Sequence, residues 1–308
     1  MQEKISFIIA TKDRAEELKR LLESLRKQTS PVDQIIIVDS SQSGRKEWLE
    51  KPQRSSLPVD YYYYAIPSTS NQRNFGLTKV KPEMDWVGFL DDDVILEKTA
   101  VEEMRKASRF LLARYNVGGM GFNLVNHPQM EFQPLKNIPL VEKLGLYSQR
   151  RGVVLPSGFQ TMIGIVENDT EVEWLPSTAA IWRREVIARH RFDEYFSGYG
   201  YLEDLDFSYS IGKKYKLLII AQARYYHLPG QSGRGSPFVF GVREVINRLY
   251  FVRKHKELSL LSCYLALILR CQMSLFLALK TAQREFIARA TGNIWGMLKS
   301  AKLFLVKR

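Results

Sequence analysis

Cysteine is almost missing from this chain: only Cys263 and Cys271 occur in 308 residues. That excludes a disulfide-built scaffold. The two lie eight apart in a segment of helical character, too far to bridge one another, and a reducing compartment, the cytoplasm, is expected. Histidine is scarce as well, with four residues, and no zinc-finger spacing or RNA-recognition signature occurs. No apolar stretch runs unbroken for 18 residues. The nearest, 258–279, is interrupted by Ser259, Arg270 and Gln272, which argues against an ordinary transmembrane helix. Met1-Gln2-Glu3-Lys4 leads straight into a strand-like run, with no secretory signal. Internal repeats and low-complexity tracts are absent too. Acids are outnumbered, 33 against 45 Lys and Arg, for a net charge of +12. From Lys280 onward seven Lys/Arg face one acid, Glu285. Such an excess suits nucleic acid, anionic lipid or phosphate-bearing ligands. Nucleic acid is disfavoured, because the basic residues interleave with long apolar runs rather than with glycine and aromatic platforms.

What is present is apolar matter in a rhythm. With 45% hydrophobic residues and 12% aromatics, the chain can bury one large domain or two lobes. Ser6-Phe7-Ile8-Ile9-Ala10 predicts a buried strand. A helix follows from about 14 to 28, with Leu18, Leu21, Leu22 and Leu25 at helical spacing and Asp13 as its expected cap. Further strands are predicted at 34–38, 61–65, 86–90 and 217–221, and helices at 71–77, 97–115 and 201–214. Between 116 and 172 the pattern loosens, and Pro176 to Arg189 predicts a strand-to-helix unit. Alternating strands and helices indicate an α/β fold with a doubly wound, mostly parallel, Rossmann-like sheet. Everything beyond about Val239 reads as helix.

The most informative stretch is Trp86-Val87-Gly88-Phe89-Leu90-Asp91-Asp92-Asp93, an apolar run that ends in three carboxylates. A strand delivering acids to its carboxyl end is how an open α/β sheet presents charge to a ligand crevice. Three such neighbours repel unless a cation lies among them, and Mg²⁺ or Mn²⁺ is the usual one beside a diphosphate. The alternative is a solvated acidic turn.

Five segments stand in order at element ends: Ser6-Phe7-Ile8-Ile9-Ala10-Thr11-Lys12-Asp13-Arg14, Ile36-Ile37-Val38-Asp39-Ser40-Ser41, Arg73-Asn74-Phe75-Gly76, the Asp91–Asp93 triplet, and Glu203-Asp204. In this combination they resemble inverting family-2 glycosyltransferases of the GT-A fold, which act on nucleotide-activated sugars. The likeness spans about residues 4 to 235. It implies that Thr11 and Asp39 hold the nucleoside at the sheet's carboxyl edge, although Asp39 could instead close a turn over Ser40-Ser41. Arg73 would contact the base or phosphate, the alternative being a surface salt bridge. Asp92 would lie by the ribose and diphosphate, and Asp93 would bind Mn²⁺ or Mg²⁺ directly. Asp91 would complete the D-x-D spacing, through water.

Gly200-Tyr201-Leu202-Glu203-Asp204-Leu205-Asp206 resembles the family's second signature. By that match Asp204 is the general base for the acceptor hydroxyl, with Glu203 beside it. A helix N-terminus is expected to lower the carboxylate pKa and keep the base ionised. Asp206 is assigned to capping or solubility. His227 would complete the metal shell, as against a half-buried histidine with a backbone partner. Arg234, in the glycine-rich run 229–237, would swing onto the departing diphosphate. Trp174 is either a sugar platform or core. Trp174 to Glu185 matches the acceptor-side strand, and its polar Ser177-Thr178 step leaves the sugar identity open.

These features predict a catalytic domain over 1–238 (a nucleotide-sugar half, about 1–125, and an acceptor half, 126–238) and a helical region over 239–308. The helical region carries apolar faces beside basic residues, including Val242 to Lys256, where the arginines are expected away from Val245, Leu249 and Val252. It is expected to lie on a membrane surface, at the cytoplasmic face of the cell membrane. The alternative is a hairpin packed on the catalytic domain or on a second copy, making a homo-oligomer. The expected activity is metal-dependent inverting transfer from a UDP- or dTDP-sugar to a glycan or lipid-linked acceptor in cell-surface polysaccharide synthesis. Two other classes compete. A nucleotidyltransferase would need a glycine-rich loop after the first strand, and Thr11-Lys12-Asp13-Arg14 has no glycine. A non-catalytic membrane scaffold would not need carboxylates at every expected element end.

Overall fold

The computed structural model describes residues 3–42, 57–126, 138–196, 200–228 and 235–305, with backbone alone for 301–305. Ile5–Thr11 (β1) is followed by Ala15–Arg26 (α1), Gln34–Asp39 (β2), Val59–Tyr63 (β3), Thr69–Leu77 (α2), Trp86–Asp91 (β4), Val94–Leu96 (β5), Ala100–Leu112 (α3) and Val117–Leu124 (β6). Pro139–Lys143 (α4), Thr170–Val172 (β7), Ala179–Arg183 (β8), Arg184–Ile187 (α5), Glu203–Gly212 (α6) and Lys216–His227 (β9) come next. Pro237–Lys254 (α7), Leu260–Thr281 (α8) and Arg284–Leu305 (α9) close the described chain. The chain forms two compact units, Met1–Met130 with Ile163–Gly230, and Glu131–Met162 with Gln231–Arg308.

The first unit is a mixed nine-stranded sheet in the order β3-β2-β1-β4-β8-β6-β9-β5, with β7 on β9. β3, β2, β1 and β4 are mutually parallel, β8 is antiparallel to β4, and β6 is parallel to β9. The apolar runs are unbroken because both faces are covered. Phe7, Ile9, Ile35, Ile37 and Trp86 pack with Leu18, Leu21 and Leu25 of α1 and Met104 of α3 in one buried cluster. On the opposite face Phe89 meets Phe207 of α6. Each buried leucine of α1 contributes about 1.5–3 kcal/mol. Asp13 does not cap α1. It takes a left-handed φ of 54°, one residue ahead of the true N-cap, Arg14.

The chain passes from β1 to β2 and β3 on one side, then crosses to β4 on the other, so a switch point opens between β1 and β4. Register does the rest. Thr11 lies beside Asp39, and Ala10 beside Asp91, so the three carboxyl ends reach one level. β5 and β9 pair Val94 with His227, which brings the end of β9 to the same edge.

In the second unit Ser236 and Ser259 cap α7 and α8 with their hydroxyls. α7 and α9 approach so closely that a Cβ on Gly292 would lie 2.2 Å from the Phe238 carbonyl oxygen, and one on Gly241 2.3 Å from that of Arg289. Buried Glu244 accepts from Arg270, Arg289 and Asn293, which draws the three helices together. Burial opposes its ionisation, but the Arg289 hydrogen bond and both guanidinium charges hold its pKa below the usual range. Arg248, expected on the polar face of α7, is instead buried and donates to the Gly158 carbonyl and to Gln160. α8 is long and apolar enough to cross a membrane by length and composition, with mean hydropathy 1.8 over its best 18 residues. The interruptions at Arg270 and Gln272 do not prevent this, because a single charge, already paired with Glu244, leaves the window apolar.

Candidate active site

The site is built on an aromatic floor. Phe89 stands two residues before Asp91 on β4, hence on the same face of the strand. Phe207 stands four residues after Glu203 on α6, hence on the same side of the helix. Phe192 stacks on Phe207 at 4.2 Å and meets Phe89 edge-on at 4.9 Å. Packing these three rings brings the start of α6 to the end of β4. Arg73 of α2 fills the join. Its guanidinium lies over Phe192 and Phe89, donates to Asp91 Oδ1 at 2.8 Å, and reaches Glu203 Oε1 at 3.5 Å. Asn74, next on α2, exchanges two 2.9 Å hydrogen bonds with the backbone of Phe192, which fixes the helix on this floor.

The two acidic segments therefore share one buried cation. Burial, and then the charge of Asp204, push the Glu203 carboxyl up to about 7, with Arg73 opposing. Asp204 is half-buried and its pKa is raised too, by loss of solvation against the pull of Arg73. The expectation that a helix N-terminus would lower these values fails here, because desolvation outweighs the dipole. Leu202, the N-cap, sits at φ 77°, a left-handed conformation that costs a branched residue about 1–3 kcal/mol. A Cβ on Gly200 would lie 2.5 Å from the Glu203 carboxylate, so a larger residue there would push that carboxylate aside. Asp206 is buried rather than solvated.

At the neighbouring strand ends Thr11 Oγ1 donates to Asp92 Oδ2 at 2.7 Å. Arg14 Nη1 donates to Asp92 Oδ1 and to Asp93 Oδ2, both at 3.0 Å. Burial raises the Asp92 pKa to about 6 despite Thr11 and Arg14. His227 Nε2 is 3.1 Å from Asp93 Oδ1, and the Leu228 N–H donates to the Asp93 carbonyl. Asp39 closes the turn: Oδ1 accepts from the Ser41 N–H and hydroxyl, and Oδ2 from Tyr61. Gln72 pins both strand ends by donating to the Thr11 and Val38 carbonyls.

Direct contacts thus join Thr11, Asp92, Asp93 and His227 through Arg14, and Asp91 and Glu203 through Arg73; the two groups meet at the Asp91–Asp92 step of the chain, with Asp39 paired to Thr11 in register and Asp204 next to Glu203. Arg234 lies outside the described residues. Asp91 faces Arg73, and among the described residues no group of three or more His, Cys, Asp or Glu is set to hold a metal. Trp174 is buried. Sequence reasoning assigned no role to Arg14, Gln72 or Tyr61. Arg14 stands inside a quoted motif, but the carboxylates it meets lie on a strand far from it in the chain.

The Glycosyl transferase family 2 model matches residues 6–159, half of the chain. No curated protein matches it in sequence. Among solved structures it is similar to S. aureus TarS 1–349 in complex with UDP-GlcNAc, at 17% identity over 80% of this chain and 66% of that one, TM-score 0.50. It is similar to the same protein in complex with UDP, at 17% over 81% and 64%, TM-score 0.51. GalNAc-T7 with UDP, GalNAc and Mn²⁺ is similar at 15% over 76% and 45%, TM-score 0.58. The chain spans just under two thirds of the TarS 1–349 structures, and at these identities the likeness is one of fold, that of GT-A glycosyltransferases. With its family match and a sheet of this order, the chain belongs to glycosyl transferase family 2.

Proposed function

We propose that this glycosyltransferase is a metal-dependent, inverting enzyme that takes a sugar from a UDP- or dTDP-sugar and places it on a glycan or lipid-linked acceptor. One observation carries the reading: Arg73 ties Asp91, at the donor edge of the sheet, to Glu203, beside the base candidate Asp204. Thr11 and Asp39 end adjacent strands where a nucleoside fits the switch point. Asp93 and His227 offer a carboxylate oxygen and an imidazole nitrogen side by side, a donor pair that suits Mn²⁺ and, less well, Mg²⁺, with phosphate and water supplying the rest. They are the residues that would hold the ion, whose chemistry is to offset the charge of the departing nucleoside diphosphate. Asp204 takes the acceptor hydroxyl proton as that oxygen forms its bond to the anomeric carbon. Its raised pKa makes it a stronger base once ionised, worth about 10²–10⁴ in rate for a positioned group. Arg73 keeps Glu203 and Asp204 from repelling the carboxylates across the site.

The location we propose is the cytoplasmic face of the cell membrane, in the assembly of a surface polysaccharide. Leu261, Ile268, Phe276 and Leu279 on α8, and Ile287, Ile294, Trp295 and Leu298 on α9, are exposed. They recur at helical spacing beside Lys280, Arg284 and Lys299, a composition suited to anionic lipid.

Release of nucleoside diphosphate from a panel of UDP- and dTDP-sugars with Mn²⁺, and the anomeric configuration of the product by NMR, test the reading. Asp93→Ala is expected to abolish donor turnover. Asp204→Asn is expected to keep donor binding and to lower transfer by about 10²–10⁴-fold. Wild-type transfer by Asp204→Asn removes that residue from the base role, and a product that keeps the donor's configuration removes inversion.

A further inference from the structure

The site holds two arginines on its carboxylates, and they are built differently. Arg73 is 4% exposed at its side chain and lies over two aromatic rings. Arg14 is 21% exposed at its side chain and projects from the N-cap of α1, directly after strained Asp13. That strained turn is held from the nucleoside end of the site: Ser41 Oγ accepts the Asp13 N–H at 2.7 Å while its hydroxyl donates to Asp39 at 2.5 Å. Arg14 Nη1 sits between Asp92 and Asp93 at 3.0 Å from each. Both carboxylates are buried, so they need a cation there, and Arg14 is that cation.

The divalent ion would take Asp93 at Oδ1, beside His227, while Arg14 holds Oδ2 of the same carboxylate, so two cations crowd one carboxylate and oppose each other by repulsion. A guanidinium binds phosphate oxygens in the same bidentate way as carboxylate oxygens. We infer that Arg14 is a displaceable internal cation. It holds Asp92 and Asp93 in the donor-free protein, and leaves them for the donor's diphosphate as a divalent ion arrives at Asp93. Metal and nucleotide then bind with positive coupling, since each removes the other's obstacle, and the coupling is reciprocal. The inference rests on the metal-dependent reading above and extends it to the order of binding.

Electron paramagnetic resonance of free Mn²⁺, titrated at pH 8 against the full chain with and without UDP, provides the test, after correction for the Mn²⁺–UDP complex itself. In the wild type, UDP is expected to tighten Mn²⁺ binding about 5- to 150-fold, the usual range of such coupling. Arg14→Gln is expected to bind Mn²⁺ without UDP at least about tenfold more tightly than the wild type, and to lose most of the UDP enhancement. Arg14→Lys keeps the charge and is expected to stay near the wild type. Arg14→Gln with unchanged or weaker affinity for Mn²⁺ alone, while both proteins bind it with UDP, overturns the inference and leaves metal dependence standing. A wild type that binds Mn²⁺ equally with and without UDP overturns the inference even if Arg14→Gln does not fold. Binding to none of them under any condition, or equal binding to Asp93→Asn, removes the metal reading and this inference together.

Discussion

Replacing Arg73 by methionine keeps roughly the volume over Phe89 and Phe192 but removes the one buried cation between Asp91 and Glu203. Losing one partner of a buried ion pair costs about 3–5 kcal/mol, and the lower end, about 3 kcal/mol, applies here, because Glu203 stays desolvated while Asp91, with 35% of its side chain exposed, is rehydrated. The loss of the cation–π contacts adds about 0.5–1 kcal/mol. The cost depends on pH in a stated direction. Glu203 already titrates at about 7 with Arg73 opposing the rise, so without Arg73 its folded-state pKa climbs further. A carboxyl raised above its unfolded value stabilises the fold most below about pH 4.5, and that contribution is lost as pH rises through the folded pKa. At pH 6 Glu203 is largely protonated in both proteins, and the main loss is the 2.8 Å pair with Asp91. At pH 8 the variant must also bury an ionised Glu203 or take up a proton, adding about 1–2 kcal/mol. Thermal unfolding of both proteins at the two pH values reads this out. At about 2–4 °C per kcal/mol for a domain near 200 residues, Arg73→Met is expected to melt about 9–24 °C lower at pH 8, and measurably less so at pH 6. A loss under about 1 kcal/mol, or an equal loss at both pH values, refutes the picture of Arg73 as the shared cation of two acidic segments.

Three further outcomes follow from the same coordinates. kcat/KM is expected to fall as pH drops, because Glu203, pushed up to about 7, takes up its proton and Asp204, raised in the same direction by burial, is protonated more readily than a free carboxylate; a profile flat from pH 5.5 to 8 would separate these carboxylates from the base role. Gly292→Ala places a methyl 2.2 Å from the Phe238 carbonyl oxygen, where neither backbone can yield without moving a helix. It is expected to cost about 1–3 kcal/mol, read as a lower denaturant midpoint, whereas an unchanged midpoint denies the close α7–α9 contact. Changing Phe276, Leu279 and Trp295 together to glutamate removes three large exposed side chains, each worth about 1.5–3 kcal/mol if buried in lipid. Flotation with phosphatidylglycerol vesicles is expected to drop by more than tenfold, and flotation equal to wild type would free that face from any lipid role.

The elements were legible where local sequence decides them. Ile35 to Val38 reads as a strand because both faces are buried, and Leu18, Leu21, Leu22 and Leu25 read as a helix because one face is. The pairing of these elements was not legible to the same degree. β8 inserts antiparallel between β4 and β6, and β5 finds β9 across more than a hundred residues. Both depend on packing that no short window contains. Residues 138–162 carry no periodicity, and in the second unit they meet Arg248, a residue that composition alone assigns to solvent. Its burial is tolerable because the Gly158 carbonyl and Gln160 accept its protons.

At the site, the gathering of these residues at one sheet edge was legible and their electrostatic state was not, and magnitudes explain why. A helix N-terminus favours a carboxylate by about 0.3–1 kcal/mol at an exposed position, less than one pKa unit at 1.36 kcal/mol each. Withdrawing the same carboxylate from water costs several kcal/mol. Position on a helix can be read from spacing, but burial is a property of the aromatic floor formed by Phe89, Phe192 and Phe207, three residues from three distant segments. The same holds for the arginines. Arg14 and Arg73 are chemically identical letters beside acidic partners. Only the fold makes one a fixed bridge over aromatic rings and the other a partly exposed cation at the end of a strained turn. Because the carboxylates they hold differ in turn, substituting the two should have opposite signatures: loss of Arg73 weakens the fold as pH rises, whereas loss of Arg14 strengthens the grip on a divalent ion.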